Sequence, residues 1–221
     1  EKIVSAARRL GITAKLSPDL SLALGASEVS LFEMTAAYLP FANGGMGVFP
    51  YGVAEIRTSH GKLLYRRSGD SLGRIVDAQD IGRMNRMLSA AVKDGTGRHA
   101  QLEGHEVAGK TGTSQDFRDG WFIGYSADLI AGVWVGNDDN RPTKKVTGGQ
   151  LPATIWRDFA ARAMYGHTAR ALPRYEARTA PKAANKRSLL EDITTFFSGI
   201  SASRGAWQDE SVRPSLENDN E

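Results

Sequence analysis

The stretch Val107-Ala-Gly-Lys-Thr-Gly-Thr113 decides the fold, because two incompatible patterns meet at Lys110. Read back to Gly104, it completes G-x-x-x-x-G-K-[ST], the phosphate loop. That loop needs a buried strand running into the first glycine and a helix opening at the lysine. Neither flank complies. Gly95-Thr-Gly-Arg-His-Ala-Gln-Leu-Glu103 carries two glycines and no apolar run, and Thr111 to Gly120 holds two glycines among several poor helix formers. The apolar run Leu129 to Val135, ending in Gly-Asn-Asp138, could pass for a strand bearing a magnesium aspartate. It follows too soon to leave room for a helical crossover between parallel strands.

Read as a strand, the same residues alternate, with Lys110 and Gly112 pointing one way and Thr111 and Thr113 the other. A glycine at 112 removes a side chain where another backbone must approach. Two further strand-like runs follow, Trp121-Phe-Ile-Gly-Tyr125 and Leu129-Ile-Ala-Gly-Val-Trp-Val135, joined by Ser126-Ala127-Asp128. Short strands on tight connections predict an antiparallel meander.

Helices are expected around it. Ser30 with Glu33 forms a capping box before Leu31, Met34, Ala37 and Tyr38, and Pro40 with Gly44 and Gly45 should stop that helix. Asp77 or Asp80 can cap a second, with Ile81, Met84, Leu88, Ala91 and Val92 on one face and an end at Gly95. Ala153 to Tyr165 reads as a last helix covering the sheet with Ile155, Trp156, Phe159 and Ala163. Trp121, Trp134 and Trp156 are most simply core, although Trp121 could line a cleft. From residue 171 to 221 the composition turns to a basic, proline-bearing linker and then a polar, acidic tail, largely disordered, with the weakly amphipathic Ser188 to Ile200 inside it.

The motifs now carry a resemblance. Ala108-Gly-Lys-Thr-Gly-Thr-Ser114, Asp119-Gly-Trp-Phe-Ile-Gly-Tyr-Ser-Ala-Asp-Leu129, Gly132-Val-Trp-Val-Gly-Asn-Asp138, and Thr147-Gly-Gly149 with Ile155-Trp156 together resemble the transpeptidase domain of the class A penicillin-binding proteins. Leu24 to Tyr38, Phe41 to Gly45 and Gly95-Thr-Gly97 resemble it too. The resemblance implies an α+β fold, a partial penicillin-binding/β-lactamase-like serine transpeptidase fold with an antiparallel sheet packed by helices. It implies that Lys110 points into the cleft and helps keep the proton relay of a serine nucleophile electrostatically poised. The Thr111 and Thr113 hydroxyls, with Gly112 between them, would bind the carboxylate of a stem peptide's terminal D-alanine or of a penicillin, and the Thr113 N–H would complete an oxyanion hole.

Such enzymes also need S-x-x-K and S-x-N. The only S-x-x-K string is Ser59-His-Gly-Lys62, and S-x-N does not occur. The string falls between two strand-like runs, Val53 to Ile56 and Leu63 to Tyr65, where a hairpin turn cannot stack serine over lysine. In the family both elements precede the region matched here, so residues 1–170 read as the C-terminal part of a transpeptidase domain. The rest of the polypeptide would lie upstream, with a membrane anchor and, in this family, room for a glycosyltransferase domain.

Composition agrees with one ordinary domain: 221 residues, 41% hydrophobic, no cysteine. Net charge is +3 without a basic stripe, which gives nucleic-acid binding little support. No run approaches the roughly 18 apolar residues of a membrane span. His60, His99, His105 and His167 show no ligand spacing, so no metal is expected. Gly95-Thr-Gly-Arg-His-Ala100 matches a dinucleotide pattern but follows a helix instead of a strand, and no cofactor is expected. The resemblance implies peptidoglycan stem peptides and β-lactams as ligands, and the outer face of the bacterial inner membrane as location. Two other readings stay open: a D,D-carboxypeptidase or β-lactamase-type hydrolase, and a non-catalytic wall-peptide or partner-binding module.

Overall fold

The computed structural model describes residues 1–69 and 72–175. The expectations for the tail from 176 on, including Ser188 to Ile200, lie outside the described residues. After helix α1 (Lys2–Arg9) and a 3-10 turn at Leu20–Leu24, helix α2 (Leu31–Ala37) opens on its capping box. The Ser30 hydroxyl accepts the Glu33 N–H at 3.1 Å, and the Glu33 carboxylate accepts the Ser30 N–H at 3.4 Å. The other carboxylate oxygen takes the Thr13 hydroxyl at 2.6 Å, the Thr13 N–H at 2.8 Å and the Ala14 N–H at 3.1 Å. These donors, the Thr13 hydroxyl foremost, lower the Glu33 carboxyl to about 2.

Pro40 does not act as a stop. It lies in the first turn of a second short helix, α3 (Leu39–Ala42), where its missing N–H would be unpaired in any case. Strands β1 (Glu55–Arg57) and β2 (Leu63–Arg66) form the hairpin expected around Ser59 to Lys62. The Gly61 N–H closes that turn on the Thr58 carbonyl at 2.9 Å. Helix α4 (Ala78–Lys93) then packs against β3 (Ala108–Thr113), which joins β4 (Asp119–Tyr125) and β5 (Ile130–Gly136) in an antiparallel sheet ordered β3-β4-β5. The meander read from the sequence is thus the sheet that forms.

The register sorts the side chains. Thr111 pairs with Phe122, Thr113 with Gly120 and Gly109 with Gly124 on one face; Lys110 pairs with Ile123, Gly112 with Trp121 and Ala108 with Tyr125 on the other. Helix α5 (Leu151–Ala163) covers the first face. Val92, Ala100, Phe122, Ala153, Trp156 and Ala160 pack there as one buried cluster. Phe41, Ile81, Leu88, Ala108, Tyr125 and Leu172 form the second.

The buried stripe of α5 differs from the expected one. Ala153, Trp156 and Ala160 point inward, while Ile155 and Phe159 are about half exposed. Gly124 sets this rotation: a Cβ there would stand 2.6 Å from the Trp156 indole, so only glycine leaves the ring its slot. The indole N–H donates to the Gly124 carbonyl at 3.1 Å, and the ring meets Phe122 edge-on at 5.7 Å. Trp134, expected in the core, is instead exposed, its indole N–H donating to Asp119 Oδ1 at 2.9 Å.

A polar knot ties the second cluster. Buried Asn85 donates to the Phe41 carbonyl at 3.0 Å and the Pro173 carbonyl at 2.9 Å, and accepts the Tyr125 hydroxyl at 2.7 Å. Burial pushes that hydroxyl well above the usual tyrosine range. Leu172 is buried and its N–H donates to Glu106 Oε2 at 3.0 Å, with Arg174 on the same carboxylate. Residues 171–175, placed in the linker by composition, therefore pack on the domain.

Candidate active site

Lys110 lies in mid-strand, and no helix opens at it, so the phosphate-loop pattern has no structural counterpart. Strand β3 is the end strand of its sheet. The Ser114 N–H bonds back to the Asp119 carbonyl at 3.0 Å, and alternation then turns the Thr113 N–H away from β4, toward the open edge.

The two faces of β3 differ in surroundings. On one, α2 packs over Gly132 and Ile123, where a Cβ on Gly132 would strike the Thr35 hydroxyl at 2.1 Å. Lys110 stays exposed on that face, its ammonium donating to the Thr111 carbonyl at 2.8 Å. Loss of water around its stem and head lowers its pKa from the ordinary lysine value. Half-buried Trp121 stands on the same face, opposite Gly112.

On the other face lies a cleft of 410 Å³ lined by Thr96, Arg98, Thr111, Thr113, Thr147 and Gln150, among others. Thr96 follows α4, where the Gly97 N–H bonds to the Ala91 carbonyl at 2.8 Å. Its hydroxyl lies 2.7 Å from the Thr111 hydroxyl. The loop after β5 returns over the strand, and the Gly148 N–H donates to Thr113 Oγ1 at 3.0 Å. A Cβ at Gly148 would stand 2.2 Å from the Trp121 carbonyl and 2.3 Å from that of Gly112. The backbone expected at Gly112 therefore reaches its carbonyl and not the place of its missing side chain, where a Cβ would meet the Trp121 side chain at 3.2 Å. A second cleft, of 600 Å³, lies between the β1–β2 hairpin and Met46 to Tyr51 and holds none of these residues.

The structure thus brings Thr111 and Thr113 onto one face, with Gly112 between them; Lys110, expected to point into the cleft, lies on the opposite face and does not line it, because strand alternation turns it away from the threonines. Sequence reasoning placed neither Thr96 nor Gly148 in the site. Their signal was available as two small glycine-flanked turns, Gly95-Thr-Gly97 and Thr147-Gly-Gly149, since glycine pairs mark close backbone approach.

The pattern of this site and sheet matches a known family along residues 10–166, described as the penicillin binding protein transpeptidase domain. The chain belongs to that family. Penicillin-binding protein 1A of Aquifex aeolicus is 35% identical over 160 residues, covering 72% of this chain and 22% of its own length. The chain therefore spans less than a quarter of that relative. Among solved structures, the penicillin-binding protein PonA1 from Mycobacterium tuberculosis superposes with a TM-score of 0.66 at 23% identity, over 84% of this chain and 56% of its own. The imipenem acyl-enzyme complex of penicillin-binding protein A from the same organism superposes with a TM-score of 0.55 at 23% identity, over 69% of this chain and 40% of its own. The transpeptidase domain seen in these proteins has the α+β fold expected from the sequence.

Proposed function

We propose that this transpeptidase domain works in a peptidoglycan cross-linking D,D-transpeptidase, supplying the cleft wall and the oxyanion donor. The observation that carries this reading is one edge strand presenting two hydroxyls to a shared cleft and the Thr113 N–H along its free edge. A carboxylate accepts hydrogen bonds only, so paired hydroxyl donors suit the C-terminal carboxylate of a stem peptide or the ring carboxylate of a β-lactam.

The serine of an S-x-x-K element elsewhere in the polypeptide would attack the carbonyl of the penultimate D-alanine. Its proton passes to the relay, the C–N bond breaks, and terminal D-alanine leaves. An amine of a neighbouring stem peptide then takes the acyl group and restores the serine. The Thr113 N–H holds the oxyanion in both steps. Lys110, charged on the opposite face of the strand, stabilises the ionised relay. No step calls for a metal or cofactor. The domain would stand at the outer face of the inner membrane, held by an anchor in the remaining polypeptide, which can include a glycosyltransferase domain. The relative captured as an imipenem acyl-enzyme supports β-lactam acylation by this fold.

The test uses the full polypeptide with a fluorescent penicillin, then a pentapeptide donor with an amine acceptor. Covalent labelling and cross-linked product are expected. Labelling with only hydrolysed tetrapeptide would make the protein a carboxypeptidase-type hydrolase. Absence of labelling would leave a wall-peptide binding module.

A further inference from the structure

Both cleft hydroxyls are met from behind by a second group. A threonine hydroxyl has one proton and two lone pairs, so what it can offer a ligand depends on what its other side already does. Thr113 Oγ1 accepts the Gly148 N–H at 3.0 Å, a donor with no alternative role. The Thr113 proton is therefore left to point elsewhere. Thr111 faces Thr96 at 2.7 Å, and this pair can be ordered either way: Thr111 donates to Thr96, or Thr96 donates to Thr111. A carboxylate entering the cleft accepts only. It selects the second order, in which Thr96 donates to Thr111 and Thr111 donates outward.

We propose that Thr96 is a positioning residue that turns the Thr111 hydroxyl into a donor toward a substrate carboxylate, as the Gly148 N–H does for Thr113. The proposal rests on the reading that the threonine pair receives that carboxylate. Successive hydrogen bonds in a chain polarise one another, so the outward Thr111 O–H is a stronger donor with Thr96 behind it than with water there. The support is rigid. The Gly97 N–H anchors the turn on Ala91, and the backbone of Gly149 lies so close to Thr96 that a Cβ on that glycine would be 2.2 Å from the Thr96 carbonyl. The backbone of Thr96 is thus packed against the same loop that carries Gly148. The two backing donors form one unit, built from the end of α4 and the loop before α5.

The experiment compares benzylpenicillin with its methyl ester, which keeps the reactive ring and lacks the anion. Acylation rates of the full polypeptide are measured for wild type, T96V and T96S. Wild type should acylate faster with the acid than with the ester. T96V, nearly isosteric but without the hydroxyl, should slow the acid by about fivefold, the size of one neutral hydrogen bond, and leave the ester rate unchanged. T96S should restore the acid rate. Equal losses for acid and ester in T96V would show a merely structural role and overturn the proposal. So would an unchanged acid rate in T96V while wild type still prefers the acid. Absence of any acid preference in wild type would instead sink the carboxylate reading of the threonine pair, and this proposal with it. Should T96V fail to fold, T96A gives the same acid-to-ester ratio.

Discussion

Lys110 combines an exposed head with a lowered pKa, and the sign of that shift gives a pH test. A lysine whose value lies below the ordinary 10.5 loses its charge earlier as pH rises. If the ammonium is the working form, acylation by penicillin should fall on an alkaline limb centred below pH 10.5. K110R, which keeps its charge to far higher pH, should move that limb upward even if its rate is lower. K110A should lose about a hundredfold or more in acylation rate and show no such limb, measured by stopped-flow with a chromogenic β-lactam. A limb unchanged in K110R would assign the titration to another group. Thr111 and Thr113 do not titrate in this range, so their variants should lower the rate without shifting its pH profile.

Among the elements, α2 has the most telling start, because one carboxylate both caps it and holds the segment at Thr13 and Ala14. The folded value of Glu33 is about 2 against an ordinary 4.5, so its contribution to stability is complete above pH 4.5 and is lost as pH falls toward 2. The thermal midpoint should drop across that window, and E33Q should flatten the drop while lowering the midpoint at pH 7. The capping box was legible because Ser30 and Glu33 stand three residues apart in the chain. The K-T-G-T strand and its meander were legible for the same kind of reason, a period of two within a few residues. The rotation of α5 was not. Ile155 and Phe159 are as apolar as Trp156, and which of them turns inward depends on the vacancy at Gly124, 32 residues away. For Thr96 the glycine-flanked turn was legible but its partner was not, since it meets Thr111 only after α4 and β3 have packed.

At the scale of the molecule, Asn85 joins α3, α4, β4 and the segment after α5 through three hydrogen bonds. N85A would leave the Tyr125 hydroxyl and two carbonyls unpaired in a buried site, which should cost about 3 kcal/mol in urea unfolding. A polar side chain inside a helix gives no hint of this in the sequence, because helical periodicity counts apolar residues only. Ending the chain at 170 should likewise weaken the fold, since it removes Leu172 and the Pro173 carbonyl from their partners. The loop over β3 bears differently on heredity. At Gly148 even one added carbon collides with two main-chain oxygens, neither of which can step aside as a side chain would. In a library of every single replacement, carried by a host made to depend on this protein for growth and grown with and without penicillin, codon 148 should stay glycine in all survivors. Arg98 and Gln150, exposed on the rim of the same cleft, should vary freely. Antibiotic escape through this wall would then be closed at codon 148 and open at its rim, because that one position has no viable neighbour in sequence space.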